Sequence, residues 1–189
     1  MRPLSEPVRS CPWTEPAFWR VTATQRESAD TVTLELEPLL REHPFLKSLE
    51  PEYLTLLAGC ASNVRFGEGS FLFREGQAAD RCFLIREGKV ALEIAAAGRG
   101  SIIVQTLAAG DVAGFSWLLE PHRWQFDGRA VEPVRAFALD GTCLRGKCAD
   151  DPRLGFELTQ LFARLAIQRL QATRLQLLDV YGNASASAI

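Results

Sequence analysis

Apolar and polar positions alternate most regularly between residues 64 and 92. Phe66, Phe71 and Phe73 form one alternating run, Phe83 and Ile85 a second, Val90 and Leu92 a third. A period of two marks half-buried strands with one face in a core. Gly69, Gly76 and Gly88 break these runs, and glycine at such short intervals marks tight turns that need positive φ or no side chain. The stretch predicts short antiparallel strands of a small β-barrel or jelly roll. Val90–Ala95 and Ser101–Leu107 flank Gly98-Arg99-Gly100, a hairpin turn. Residues 131–140 predict the closing strand, on which Val134, Ala136 and Ala138 alternate.

The period changes on either side of this block. Residues 38–59 predict two short helices. Pro51 suits a first helical turn with Ser48 or Glu50 before it. Leu54, Leu57 and Ala58 then share a face, and Gly59 can end the helix. Residues 151–181 predict one long helix that starts at Asp151-Pro152. Leu154, Leu158, Leu161, Leu165 and Leu175 recur at helical spacing, with Phe162, Ile167, Leu170 and Leu177 beside them and Gln171, Thr173 and Arg174 interrupting. Such a helix is ~40 Å long, too long for a small barrel to cover. Its second half calls for a partner, and a parallel dimer seam suits it better than a fold back on its own domain.

The pattern Phe66-x-x-Gly69-x-x-Leu72-x-x-x-Gly76-x-x-x-Asp80-x-x-Phe83-x-Ile85-x-x-Gly88-x-Val90 resembles the signature of cyclic-nucleotide-binding domains of the Crp/Fnr type. Gly110-Asp111-Val112-Ala113-Gly114 resembles the strand and turn that open that family's phosphate-binding cassette, and the match runs from about Leu39 to Gly182. The resemblance implies a mainly β fold with α elements: a double-stranded β-helix (jelly-roll) barrel, short N-terminal helices and a long C-terminal dimerisation helix. It divides the chain into an N-terminal extension (1–37), the barrel (38–150), the dimer helix (151–182) and a tail (183–189). Leu175–Gly182 resembles the point where such regulators turn into a helix-turn-helix domain. The few residues after it predict a stand-alone module without DNA binding.

Composition narrows the rest. The chain has 189 residues, 47% hydrophobic and 23% charged, with net charge −2; this is ordinary for one globular domain and gives no global attraction to nucleic acid or anionic membrane. No apolar run reaches the ~20 residues that span a bilayer, and residues 1–16 carry no secretory pattern, so a cytoplasmic protein is expected. Five cysteines, Cys11, Cys60, Cys82, Cys143 and Cys148, an odd number without Cys-x-x-Cys, argue against a disulfide framework. Cys143-x4-Cys148 reads as half an iron–sulfur or redox site, or more simply as two unrelated thiols. Residues 1–37 are proline-rich at first; then Thr31–Leu36 alternates and predicts a strand. Val21–Pro38 resembles the opening strands of ferredoxin-reductase-type FAD domains, without their Arg-x-Tyr-Ser-type flavin motif, and no flavin is expected.

The candidate chemistry sits at residues 114–130. In the resembling family a glutamate after the last glycine of the cassette bonds the ribose hydroxyl, and an Arg-Ser/Thr-Ala element binds the cyclic phosphate. Phe115 and Gln125-Phe126-Asp127 fall at those positions here. Arg123 and Arg129 flank the element and can contact an anion. Ser116 can donate, and Trp117, Trp124 and Phe126 can stack on a ring. The other reading makes the aromatics barrel core and pairs the arginines with Asp127, Glu132 or Glu120. The candidate ligand residues are Gly114, Phe115, Ser116, Trp117, Arg123, Trp124, Phe126, Arg129 and Thr173. No metal site or catalytic set is expected: His43 and His122 are far apart, as cupin chemistry does not allow. The resulting expectation is a non-enzymatic ligand-sensing module, a homodimer acting on a protein partner, whose ligand is a cyclic nucleotide or another small anion. The alternatives are an accessory subunit of a redox complex with an empty pocket, and a thiol or metal redox sensor.

Overall fold

The structure, a computed structural model, describes the backbone at residues 29–96 and 100–186 and the side chains at 36–96 and 100–178. Strands β1 (Ala61–Phe66), β2 (Phe71–Phe73), β3 (Arg81–Glu87), β4 (Val90–Ala96), β5 (Gly100–Leu107), β6 (Val112–Ala113), β7 (Asp127–Ala130) and β8 (Val134–Asp140) form two antiparallel four-stranded sheets. Their orders are β1-β8-β3-β6 and β2-β7-β4-β5, the two layers of a jelly roll. Between them lies an apolar core of Phe73, Phe83, Ile85, Val90, Leu92, Trp124, Val134, Ala136 and Ala138. Most residues expected to alternate inward meet here, with Phe66 packed at the edge; Phe71 does not, and stays exposed with Arg74 over its ring. The predicted turn residues Gly98 and Arg99 lie outside the described residues, but β4 and β5 pair as expected, with Ala96 opposite Gly100.

Two strands are more deeply buried than alternation implies. On β3 and β8 the opposite-facing residues Cys82, Leu84, Phe137 and Leu139 belong to a second core, built with the helices. This layer contains α1 (Ala29–Glu42), a 3₁₀ turn (Pro44–Leu46), α2 (Pro51–Ala58), α3 (Gly141–Asp150) and the start of α4 (Pro152–Ala186). A sheet covered on both faces carries near-continuous apolar runs, here Cys82–Ile85 and Ala136–Leu139.

The strand expected over Thr31–Leu36 is instead the first part of α1. Leu36 and Leu40, four apart, are buried on its inner side, and that packing outweighs the β preference of Thr31, Val32 and Thr33. Pro38 lies inside the helix, where it removes one hydrogen bond without ending the element. The rest of the expected extension, residues 1–28, lies outside the described residues.

α2 follows its expected caps, with Glu50 before Pro51 and Gly59 after Ala58. α3 was not expected from the sequence. Asp140 caps it, its Oδ1 accepting from Cys143 N at 2.7 Å. Gly141 opens it where a Cβ would stand 2.9 Å from Trp117 Cβ and 3.0 Å from Asp80 O. α4 starts where expected: Asp151 Oδ1 accepts from Arg153 N at 2.9 Å and Leu154 N at 3.3 Å. Leu154, Leu158, Leu161 and Phe162 bury into the chain's own helical core, with Leu165 partly buried beside them. Leu158 and Leu161 are thus not free for a dimer seam. Beyond them Ile167, Leu170, Leu175, Leu177 and Leu178 are exposed.

The cysteine expectation is corrected as well. Cys60, just after α2, and Cys143, in the first turn of α3, form a disulfide with Cα atoms 5.8 Å apart. Cys143 and Cys148 therefore do not act as a pair. Cys82 is a buried free thiol that burial pushes up to about 12, and burial also raises Cys148.

Candidate functional site

A cavity of about 310 Å³ opens where the 114–126 loop, strands β4 and β5, and α4 converge. The loop follows β6 and starts with Gly114 at φ +83°. Its backbone is stitched to the β2–β3 connection: Trp124 N donates to Gln77 O at 3.0 Å, and Gly76 N donates to Trp124 O at 2.9 Å. These bonds hold the Trp124 indole inward, stacked on Phe73 at 4.0 Å between centroids and 15° between planes. A Cβ at residue 114 would stand 2.2 Å from Trp124 Cζ3, so the indole lies against a backbone that only glycine leaves open.

The walls are mostly apolar. Phe73 and Leu92 come from the barrel, Val104 from β5, Phe115, Trp124 and Phe126 from the loop, and Leu170 from α4. Polar atoms enter from Gln105, Ser116, Gln125, Arg169 and Thr173. This is a ring-sized chamber with a few polar groups at its edge, the usual character of a small-molecule site.

Of the candidate residues, Gly114, Phe115, Ser116, Trp124, Phe126 and Thr173 line this cavity. Trp117 does not. It is fully buried in the helical core, edge-on to Phe162 with centroids 5.6 Å apart. Arg123 also lies elsewhere, its Nη1 donating to Gly76 O at 2.7 Å on the outside of the loop. Arg129 lies outside the lining as well. Register explains it: Leu92 pairs with Gly128 and Ala91 with Arg129, so Arg129 leaves the sheet on the face opposite Leu92. There its Nε donates to Glu93 Oε1 at 2.9 Å, and its Nη2 bonds the same oxygen.

Glu93 is only 3% exposed. The Arg129 guanidinium, helped by the Ser101 hydroxyl and opposed by burial, holds its carboxyl below the usual range. Asp127 is occupied too, accepting from Glu75 N at 2.7 Å and pairing with Arg74 at 3.1 Å. The loop thus sends aromatic rings into the cavity and keeps its charges outside.

The cation at the cavity comes from the helix. Arg169 Nη2 donates to Val112 O, and its guanidinium sits 5.5 Å from the Phe115 ring centroid. Burial lowers its pKa, partly offset by Asp111. Sequence reasoning missed this residue. Its signal was faint: Arg169 stands one helical turn before Thr173, whose Oγ1 donates to Arg169 O at 2.9 Å, so both share a face. Among the described residues no group of three or more His, Cys, Asp or Glu could hold a metal ion, and no helix is long and apolar enough to cross a membrane.

The cyclic nucleotide-binding domain family matches residues 63–151. A cyclic nucleotide-binding protein from Geobacter metallireducens is similar at 30% identity and TM-score 0.65, over 71% of this chain and 97% of that one. The N-terminal domain of a transcriptional regulator from Streptomyces coelicolor is similar at 26% identity and TM-score 0.57, over 71% and 94%. The regulatory subunit of a cAMP-independent protein kinase A from Trypanosoma cruzi, bound to guanosine, is similar at 25% identity and TM-score 0.55, over 72% and 52%. No curated protein matches the chain.

Proposed function

The chain belongs to the cyclic nucleotide-binding domain family, and from that membership we propose a ligand-sensing regulatory module whose ligand occupies the Phe115–Trp124 cavity and whose signal leaves through α4. One observation carries this reading: the cavity wall is shared. Phe115, Trp124 and Phe126 of the loop face Arg169, Leu170 and Thr173 of α4 across it. A ligand there touches the loop and the helix at once, so occupancy biases the position of the helix by whatever differential contact it makes. Signalling through a dimer of α4 to a protein partner, in the cytoplasm and without DNA contact, is part of the same reading; the net charge of −2 favours only the absence of DNA contact.

The ligand in this reading is ring-bearing and is not a cyclic nucleotide. Phe115 offers no acceptor to a ribose hydroxyl, and Arg129 is already held by Glu93. An unpaired hydroxyl in a dry site costs ~1–3 kcal/mol, and a lost charged bond to phosphate costs as much or more. The Trypanosoma cruzi relative is bound to guanosine, a ring-bearing ligand that carries no phosphate. Calorimetry with cyclic AMP and cyclic GMP should give dissociation constants above ~10 μM. Submicromolar binding of either would overturn the ligand assignment.

A further inference from the structure

Arg169 is placed oddly for a structural arginine. It lies halfway along a helix, at the edge of an apolar chamber, with its guanidinium partly buried. Its partners are the carbonyl of Val112 and the face of Phe115. Among the described residues no carboxylate forms an ion pair with it, whereas Arg41, Arg74, Arg81, Arg129 and Arg135 each pair with an Asp or Glu. Asp111, the acid that acts on it at longer range, spends its Oδ2 on Ala108 N at 2.8 Å. A guanidinium carries five N–H donors, and desolvating one without a counter-charge is costly. A neutral tenant would leave that cost in place; an anion would offset it.

Resting on the cavity's being the ligand site, we propose that it takes an aromatic monoanion, a ring carrying one carboxylate or a group like it, with Arg169 as the counter-ion. The ring lies among Phe73, Phe115, Trp124 and Phe126; the carboxylate points to α4. A planar carboxylate matches the guanidinium fork. The volume, about 310 Å³, suits a one- or two-ring acid. A dianion or a polyphosphate would bring more charge than this single cation answers. The charge also lands on the helix and not on the loop, so the anion is read directly by the element that carries the signal.

The test compares three probes of equal ring size: 2-naphthoate, 2-naphthalenemethanol and 2-naphthylmethylamine, titrated into the full chain by calorimetry. The wild type should bind the acid at least about tenfold more tightly than the alcohol, and the amine most weakly. Arg169→Gln should bring acid and alcohol within about threefold of each other, chiefly by weakening the acid. Arg169→Lys should restore part of the preference. Val104→Trp, at the exposed side of the cavity wall, should abolish binding of all three in protein that still melts cooperatively. Equal binding of acid and alcohol by the wild type, or a preference for acid that survives Arg169→Gln, overturns the counter-ion assignment and leaves the cavity reading intact. Binding of the alcohol that survives Val104→Trp, or binding of none of the probes by folded wild type, overturns the cavity reading and this inference with it.

Discussion

At the scale of single residues, the loop is fixed by the pair Gly114 and Trp124. A methyl group at 114 would meet the indole at 2.2 Å, on a backbone with φ +83°. Gly114→Ala should therefore destabilise the fold by about 2–4 kcal/mol, combining overpacking with positive-φ strain. Denaturant unfolding measures it. In a Trp124→Ala background the same substitution should cost only about 1 kcal/mol, because the strain remains and the clash is gone. Equal costs in both backgrounds would show that the indole does not press on residue 114. A second residue links the fold to pH. His43 is buried, with Nδ1 accepting from Phe45 N at 3.4 Å and Nε2 facing Ile85 O at 3.2 Å. Both roles are met by a neutral ring that donates from Nε2. Burial lowers its pKa from 6.5, against the Ile85 carbonyl and Asp111. A lowered folded pKa contributes stability that is complete above the unfolded value and is lost as pH falls through the folded one. As pH falls below about 6.5 the wild type should lose more unfolding free energy than His43→Asn. Identical pH profiles would remove His43 as the cause.

At the scale of elements, what the sequence revealed depended on whether a residue's partner was near it in the chain. The turn glycines and alternating Phe66, Phe73, Phe83 and Ile85 carry local signals, and the jelly roll follows from them. The α4 start is local too, since Asp151 caps its own next residues. Arg129 was read as an anion contact because its partner Glu93 lies 36 residues away, on a neighbouring strand. Arg169 was missed for the same reason: its place depends on where α4 crosses the barrel, 57 residues after Val112. Thr31–Leu36 looks like a strand by composition and becomes helix because Leu36 and Leu40 pack inward. The cysteine count pointed away from the Cys60–Cys143 bridge, which depends on α3 beginning beside the end of α2. That bridge joins residues separated by 83 positions, a long loop whose closure restricts the unfolded chain. Peptide mapping without reductant should find Cys60 linked to Cys143. Cys60→Ser/Cys143→Ser should lower the unfolding free energy by about 2–4 kcal/mol. Free thiols at both positions in protein mapped under those conditions would refute the pairing.

At the scale of the whole molecule, the apolar surface left uncovered decides the assembly we propose. α4 spends Leu154, Leu158, Leu161 and Phe162 on its own domain, then continues with Ile167, Leu170, Leu177 and Leu178 exposed, Leu178 at 66%. Ile167, Leu170, Arg174 and Leu177 follow spacings of three and four, the seam of a two-stranded coil with one polar step. On β5, Ile102 and Ile103 are exposed as well. Exposed apolar side chains in such continuity mark an interaction surface. Each leucine fully buried at a seam contributes about 1.5–3 kcal/mol, so a few pairs suffice for micromolar association. Light scattering at micromolar protein should therefore give about twice 20.9 kDa. Leu177→Glu should shift the species to monomer, since each dimer would bury two carboxylates without partners. Leu158→Glu should act differently: its side chain is in the domain core, so it should unfold the protein and not merely split the dimer. Circular dichroism separates the two outcomes. A wild type that stays monomeric at these concentrations, or a Leu177→Glu variant that stays dimeric, would mean that α4 does not form the seam.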